Sequence, residues 1–223
     1  MLNQSNYNLM NKIGSIAFVG ILLVFSWLML KLTLPYFTFD YDVSFLLTKQ
    51  SILHIASWRW AFYIHISTSL LVLFTGIFQF VRYVLVHYPR LHRVLGKIYI
   101  VTVLLFSAPS GLIMSFYANG GLWAKVSFVC VSLLWWIFSW IAYRKIKQRK
   151  VAQHIDFMIR SYALTLSAIS LRLYVIFIPQ LIHLHSHEMY TLVAWLSWVP
   201  NLLLAELIIR SGFFQRGAAV VSG

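Results

Sequence analysis

The chain has 223 residues, of which 61% are hydrophobic, 17% aromatic and 10% charged, and its net charge is +13. This composition excludes an ordinary soluble domain, in which about 45–50% of residues are apolar and about 25% are charged. A chain of this length holds one helical bundle and nothing else, so a single domain over residues 1–215 is predicted. The last residues, 216–223, carry no recognisable signal and are predicted to be a disordered tail or residues added by cloning.

Six apolar stretches separated by polar connections make up most of the chain. A hydrocarbon core of ~30 Å needs about 20 apolar residues in a helix that rises about 1.5 Å per residue. Helices are expected because lipid offers no hydrogen-bond partners to an open backbone. The sequence therefore predicts an all-α, polytopic membrane bundle with six transmembrane helices, at about residues 13–30, 60–81, 98–117, 122–143, 155–182 and 189–209.

The basic residues are distributed unequally between the two sets of connections. The N-terminal segment, the second and fourth connections and the C-terminal segment carry Lys12, Arg82, Arg90, Arg93, Lys97, Arg144, Lys145, Lys147, Arg149, Lys150, Arg210 and Arg216. The other connections carry Lys31, Lys49, Arg59 and Lys125. Because lysine and arginine accumulate in cytoplasmic loops, both termini are predicted to be cytoplasmic. The charge then indicates contact with anionic lipid headgroups on the cytoplasmic side, and not binding to nucleic acid.

The connections and the prolines predict further local structure. The first outer connection contains an amphipathic stretch, residues 43–58, predicted as an interfacial helix with Trp58 at headgroup level. Asn119, Gly120 and Gly121 predict a tight turn between the third and fourth helices. Pro109 predicts a kink in the third helix, and the Pro200-Asn201 pair predicts one in the sixth.

Polar residues inside the apolar stretches indicate an internal site, because polar groups in hydrocarbon are costly. On the second, third and fifth helices they recur at helical spacing, so these faces are predicted to point inward. The predicted site consists of His65, Gln79, His92, His154, Arg160 and Arg172. Glu206 is expected to form an ion pair with Arg160, since an isolated buried charge would be far worse. Arg172 has no intramembrane carboxylate at its depth and is expected to face His65. Its guanidinium must reach Glu188, backbone carbonyls, a lipid phosphate or a bound anion.

The histidines suggest two kinds of cofactor. His92 and His154 lie at similar depth near the cytoplasmic side, as two axial ligands of a haem b would. A simpler interpretation is that both are interfacial residues near lipid phosphates. A weaker hypothesis is a divalent metal site formed by the outer histidines and the adjacent carboxylate, His183, His185, His187 and Glu188.

Several strings resemble an uncharacterised bacterial family of integral membrane proteins, domain of unknown function 2306 (DUF2306). They are WRWAFYIH (58–65), GIFQF (76–80), LHRVLGKIY (91–99), SAPSG (107–111), HIDFMIRSYALT (154–165) and LRL (171–173). Phe157 departs from the family's usual tryptophan before the methionine of the helix-five motif. The resemblance implies a multi-pass protein of a bacterial cytoplasmic (inner) membrane with no established activity.

Three functions are compatible with these patterns. The leading hypothesis is a membrane redox component in which His92 and His154 hold haem b and an arginine, Arg160 or Arg172, pairs with propionates or a quinone. The alternatives are a small transporter or lipid- or solute-binding bundle, and a scaffold subunit whose fourth helix presents Trp135, Trp136 and Trp140. No nucleophile is activated by a neighbouring base, so the sequence indicates no catalytic residue and leaves open whether the protein is an enzyme.

Overall fold

The computed structural model describes residues 4–212, and it describes side chains from Ile16 onward. The predicted tail at 216–223 lies outside these residues. Six helical segments are long and apolar enough to cross a membrane, and we call them the first to sixth spans: Ile16–Thr38, Ala56–Phe80, Pro89–Ser115, Gly121–Lys147, Val151–Leu181 and Ser186–Arg210. The predicted all-α bundle with six transmembrane helices is therefore confirmed.

Most spans consist of more than one helical piece. The α-helices are Gln4–Thr33, Ala56–Ile77, Arg82–His87, Pro89–Thr102, Ala108–Ser115, Gly121–Lys147, Val151–Thr165, Ser167–Leu181, Ser186–Leu196 and Val199–Arg210. Leu34–Thr38, Ser44–Ile52 and Phe78–Phe80 are 3₁₀-helices, and Val103–Ser107 is a π-helix. The third span begins at Pro89 and not near residue 98, because its charged, amphipathic first turns precede the apolar run.

The predicted inward faces form the core of the bundle. Val72, Tyr99, Val103 and Ser161 all have an exposed fraction of 0%. The fourth and fifth spans form the most extensive helix pair, and the second span packs against the third. We call the end of the bundle where the second and third, and the fourth and fifth, spans are joined the basic end, and the opposite end the far end.

Three spans are interrupted near mid-depth. The π-helix of the third span directly precedes Pro109, and the sixth span breaks just before Pro200. The fifth span breaks at Leu166. Asn201 donates a hydrogen bond from Nδ2 to Ser170 Oγ (2.9 Å) and so joins the two broken helices beside the break. Proline lacks a backbone N–H and disturbs the preceding turn, so both predicted irregularities are confirmed.

The first far-end connection, where the sequence predicts an amphipathic interfacial helix over residues 43–58, is helical over part of that range. It contains the 3₁₀-helix Ser44–Ile52, whose Leu46 and Lys49 are 1% and 3% exposed. Trp58 is fully buried and stacks on Phe62, with ring centroids 5.5 Å apart, so its ring packs inside the protein and does not face the lipid headgroups. Leu46 and Lys49 lie three residues apart and so share one face of the 3₁₀-helix, which packs on the protein although it carries a charge. Its location in the membrane interface stays a prediction.

Lys49 ties this connection to the turn between the third and fourth spans. Its Nζ donates hydrogen bonds to Tyr117 O and Asn119 Oδ1, both at 2.6 Å. Burial, followed by the nearby charge of Lys125, lowers the pKa of Lys49 from 10.5 to about 8. Between these values the unfolded chain binds more protons than the folded one, so the free energy of unfolding rises with pH across this window.

We therefore expect a Lys49→Met variant to lose part of the pH dependence of stability. Between pH 8 and pH 9.5 the wild type should gain about 1 kcal/mol per pH unit relative to the variant. Melting temperatures of the detergent-solubilised proteins, followed by tryptophan fluorescence, measure the difference. Lys31→Met, which removes an exposed lysine, is the matched control and should follow the wild type. Parallel pH profiles for wild type and Lys49→Met would contradict the prediction.

The turn between the third and fourth spans requires glycine, and the predicted tight turn is confirmed. Gly120 and Gly121 have φ values of 84° and 72°, in the left-handed region that disfavours side chains. A Cβ on Gly121 would also collide with the His187 ring. Thr191 Oγ1 donates to Gly120 O (2.8 Å), so the sixth span is fixed to the same turn.

Gly121→Ala is expected to destabilise the fold by about 1–2 kcal/mol, because strain and the collision add together. Gly20→Ala is the control, since its Cβ would meet nothing within 4 Å and alanine favours the helix. Thermal unfolding in detergent should show a lower melting temperature for Gly121→Ala and an equal or higher one for Gly20→Ala. Equal melting temperatures for Gly121→Ala and wild type would contradict the interpretation.

Candidate functional site

A small cavity lies between the first, second and fifth spans. Its volume is about 60 Å³, enough for a few water molecules or for one phosphate or carboxylate group. Polar groups from three spans meet in it, among otherwise apolar walls. The lining residues are Met29, Thr33, His65, Ile66, Ser69, Leu70, Leu73, Ala168 and Arg172. We call it the Arg172 cavity.

His65 is positioned by the irregular stretch of the third span. Its Nδ1 lies 2.9 Å from Ser107 O, at the end of the π-helix, and its Nε2 lies 3.4 Å from Ser69 Oγ. Gly111 leaves room for the ring, because a Cβ there would lie 3.0 Å from His65 Cε1. An Nδ1–H donated to the carbonyl fixes the tautomer and leaves Nε2 as an acceptor for a hydroxyl or a ligand.

Arg172 is directed into the bundle although a shorter way out exists. It lies about 14 Å along the helix from Leu181 at the far end and about 32 Å from Val151 at the basic end. A long basic side chain in such a position usually extends to the nearer interface. Arg172 instead folds back one turn and donates from Nη1 to Ala168 O (3.0 Å). Among the described residues, no carboxylate forms an ion pair with it.

The basic end holds a second group of the predicted residues. Gln79 Nε2 donates to His92 O (3.4 Å), and its amide lies against Gly96. His154 Nδ1 lies 2.8 Å from Ala142 O on the fourth span. His92 lies in the first turn of the third span and His154 in the first turn of the fifth, both at the basic end. His92 Nδ1 is buried and has no hydrogen-bond partner among the described residues.

Arg160 and Glu206 form the ion pair that the sequence predicts. Arg160 Nε donates to Glu206 Oε1 at 2.6 Å, and Nη2 donates to Oε2 at 2.9 Å. The guanidinium also lies over the Phe157 ring, 4.9 Å from its centroid. This two-point contact joins the fifth and sixth spans, and Arg160 is therefore engaged in packing the bundle.

A buried hydroxyl cluster, which the sequence reasoning did not single out, lies in the core. Tyr99 Oη lies 2.8 Å from Ser161 Oγ and 2.9 Å from Thr165 Oγ1, and Ser161 Oγ lies 2.7 Å from Ser139 Oγ. The sequence could have indicated this cluster, because Tyr99, Ser161 and Thr165 lie on the predicted inward faces of the third and fifth helices. The cluster joins the third, fourth and fifth spans.

The six predicted site residues do not form one site. His65 and Arg172 share a cavity, as expected, whereas Gln79, His92 and His154 lie at the basic end. Arg160 and Arg172 are separated by about 18 Å along the fifth span. The outer histidines are not brought together either, since the described residues contain no group of three or more histidine, cysteine, aspartate or glutamate side chains able to hold a metal. His187 instead lies against Gly121, and Glu188 is in the first turn of the sixth span.

Trp135 also departs from its predicted place on an aromatic outer face. It is 7% exposed and belongs to the core, whereas Trp136 and Trp140 are each 40% exposed and stack on one another. Three tryptophans so close in sequence cannot all lie on one face of a helix, because residues only one position apart point about 100° apart.

Comparison with known proteins supports the family resemblance and adds no activity. No curated protein and no solved structure matches the chain. A family model described as "Predicted membrane protein (DUF2306)" matches residues 62–209, a region that contains all six predicted site residues. The chain thus belongs to the DUF2306 family of predicted membrane proteins.

Proposed function

We propose that this protein binds a small anionic group in the Arg172 cavity and works as a ligand-binding membrane bundle. The observation that carries the proposal is the inward direction of Arg172 without a carboxylate partner among the described residues. A guanidinium has five N–H donors, and one of them is used by Ala168 O. A phosphate or carboxylate would accept the others in the two-point geometry that arginine favours.

The other polar groups of the cavity fit the same ligand. His65 and Ser69 lie across from Arg172 in the cavity. The Ser69 hydroxyl can donate to an oxygen of the anion, and His65 Nε2 can accept from a protonated oxygen such as the P–OH of a phosphate monoanion. The cavity volume of about 60 Å³ fits one such group, either as a free ion or as the phosphate of a larger molecule. With both termini in the cytoplasm of a bacterium, as the charge distribution predicts, this site lies in the outer half of the inner membrane.

Thermal stabilisation by soluble anions tests the proposal. The melting temperature of the detergent-purified protein should rise with the concentration of glycerol 3-phosphate, because a ligand that binds the folded state alone stabilises it. Arg172→Leu should abolish this increase. Arg90→Gln, which removes a positive charge at the basic end, should retain it. An equal increase in Arg172→Leu and wild type would overturn the proposal, since the anion would then act elsewhere.

A haem b redox component with His92 and His154 as axial ligands is the second candidate. It is supported by the bond from His154 Nδ1 to Ala142 O, since ligating histidines commonly donate their other ring N–H to a carbonyl. On His92 the unpartnered nitrogen among the described residues is the buried Nδ1, which would be the ligating atom of that ring. Haem would supply one-electron chemistry, for which a quinone is the natural membrane partner.

An absorption spectrum separates this candidate from anion binding alone. Protein purified from cells supplied with haem would show a Soret band and, after dithionite, a growing α band. His92→Ala and His154→Ala would each lose these bands, whereas His87→Ala, at an exposed position, would keep them. A featureless spectrum would exclude the redox role and leave anion binding untouched.

A further inference from the structure

We propose that the occupant of the Arg172 cavity is a membrane amphiphile, whose single phosphate or carboxylate head enters the cavity while its acyl tail lies between the first and fifth spans. The inference rests on the anion binding proposed above and names the class of ligand. Its starting point is the size of the cavity, about 60 Å³, well below the roughly 300 Å³ at which pockets for whole organic ligands begin. Only the head of a larger molecule fits.

An aromatic cluster packs between the cavity and the far end of the bundle. Phe62 lies about one turn from His65 toward the far end on the second span. Tyr36 lies about one turn from Thr33 toward the same end on the first span. The Phe62 and Tyr36 rings meet edge to face with centroids 5.2 Å apart, and both are buried. Trp58 stacks behind Phe62. A molecule with an acyl tail entering from this end would have to displace these rings.

Access from the side is less obstructed, because the far-end half of the fifth span is thinly covered. Within Ser167–Leu181, Ile169 is the buried residue. Val175 and Ile176, which lie one turn from Arg172 on the same face, are each 53% exposed. On the first span, Leu32 beside Thr33 is also 53% exposed. An apolar surface thus runs from the cavity to the surrounding hydrocarbon.

The cavity walls combine polar and apolar groups, as the binding of an amphiphile requires. Arg172, His65 and Ser69 supply the polar contacts, whereas Met29 and Leu70 supply apolar ones. Met29 belongs to a small cluster with Leu73 and Ile169 that is separate from the main core. An acyl chain laid beside this cluster would cover the exposed side chains of Leu32, Val175 and Ile176.

Native mass spectrometry in detergent micelles tests the inference with two probes, dioleoyl phosphatidate and oleate. Wild type should retain one molecule of the preferred probe per chain, and Arg172→Leu should bind it at least tenfold more weakly. Ala168→Leu fills the cavity without changing its charge and should weaken binding similarly. Arg90→Gln should bind normally, so lipid at the basic end is distinguished. The stronger probe tells whether the head is a phosphate or a carboxylate.

A second pair of variants separates the tail from the head. Ile176→Gln should weaken the binding of phosphatidate or oleate at least threefold and leave the thermal stabilisation by glycerol 3-phosphate unchanged. Phe177→Gln, at an exposed position on a different face, is its control. If glycerol 3-phosphate binds through Arg172 but neither acyl probe binds more tightly, the amphiphile is excluded and anion binding stands. If none of the three probes depends on Arg172, both proposals fail.

Discussion

Arg172→Leu should give a protein that is more stable than wild type without ligand and no longer stabilised by anions. Removing an inward-directed charge that lacks a counter-ion among the described residues relieves a desolvation penalty. Replacing such a charge by an apolar side chain of similar size should raise the free energy of unfolding by about 1–3 kcal/mol. Thermal unfolding of delipidated protein, with and without glycerol 3-phosphate, measures both effects.

A higher melting temperature without ligand, combined with a lost response to anions, distinguishes a ligand-binding arginine from a structural one. A structural Arg172 would give a variant with a lower melting temperature in the absence of any anion. Arg172→Lys is an informative companion, because lysine keeps the charge but loses two-point recognition. It should retain a reduced anion response, at least tenfold weaker than wild type. Loss of folded Arg172→Leu protein in ligand-free detergent would contradict a ligand-binding role.

Glu206→Leu should destabilise the fold more than Gly121→Ala does, because it leaves Arg160 without its carboxylate. Breaking a buried pair commonly costs about 3–5 kcal/mol, and the partial exposure of this one reduces the expected loss to about 2–3 kcal/mol. The side chains of Arg160 and Glu206 are 19% and 36% exposed. The measurement is the melting temperature in detergent.

A double-mutant cycle isolates the pair from its surroundings. Arg160→Leu should destabilise less than Glu206→Leu, since an unpaired carboxylate that is more exposed can be hydrated or protonated. The double variant should recover most of the loss, because neither charge remains. If the stability losses of the single variants add in the double variant, the two residues act independently. That result would contradict the two-point contact between their side chains.

The sequence was sufficient for the fold because each relevant signal was local. Apolar runs longer than a bilayer require helices, and the prolines at 109 and 200 mark breaks that the structure confirms. The ends of the spans were less predictable. The first turns of the third span, for example, are amphipathic and precede its apolar run. The burial of Lys49 and Trp58 depended on contacts with distant segments, which no local pattern encodes.

The candidate site was predictable in composition and not in arrangement. Helical spacing placed His65, Arg172, His92 and His154 on inward faces, and depth alone predicted the pair of Arg160 with its carboxylate. Whether the polar residues of the Arg172 cavity and those at the basic end form one site depends on how the helices pack laterally. Spacing along one helix contains no such information. The direction of the Arg172 side chain was equally hidden, because a guanidinium can extend toward either interface from the same Cα.

The most direct test of anion binding in the Arg172 cavity is ³¹P nuclear magnetic resonance of inorganic phosphate titrated with detergent-purified protein, which detects weak as well as tight binding. Wild type and Arg90→Gln should broaden the phosphate line in a saturable way, and Arg172→Leu should leave it sharp. Equal broadening by wild type and Arg172→Leu would show that the Arg172 cavity is not an anion site.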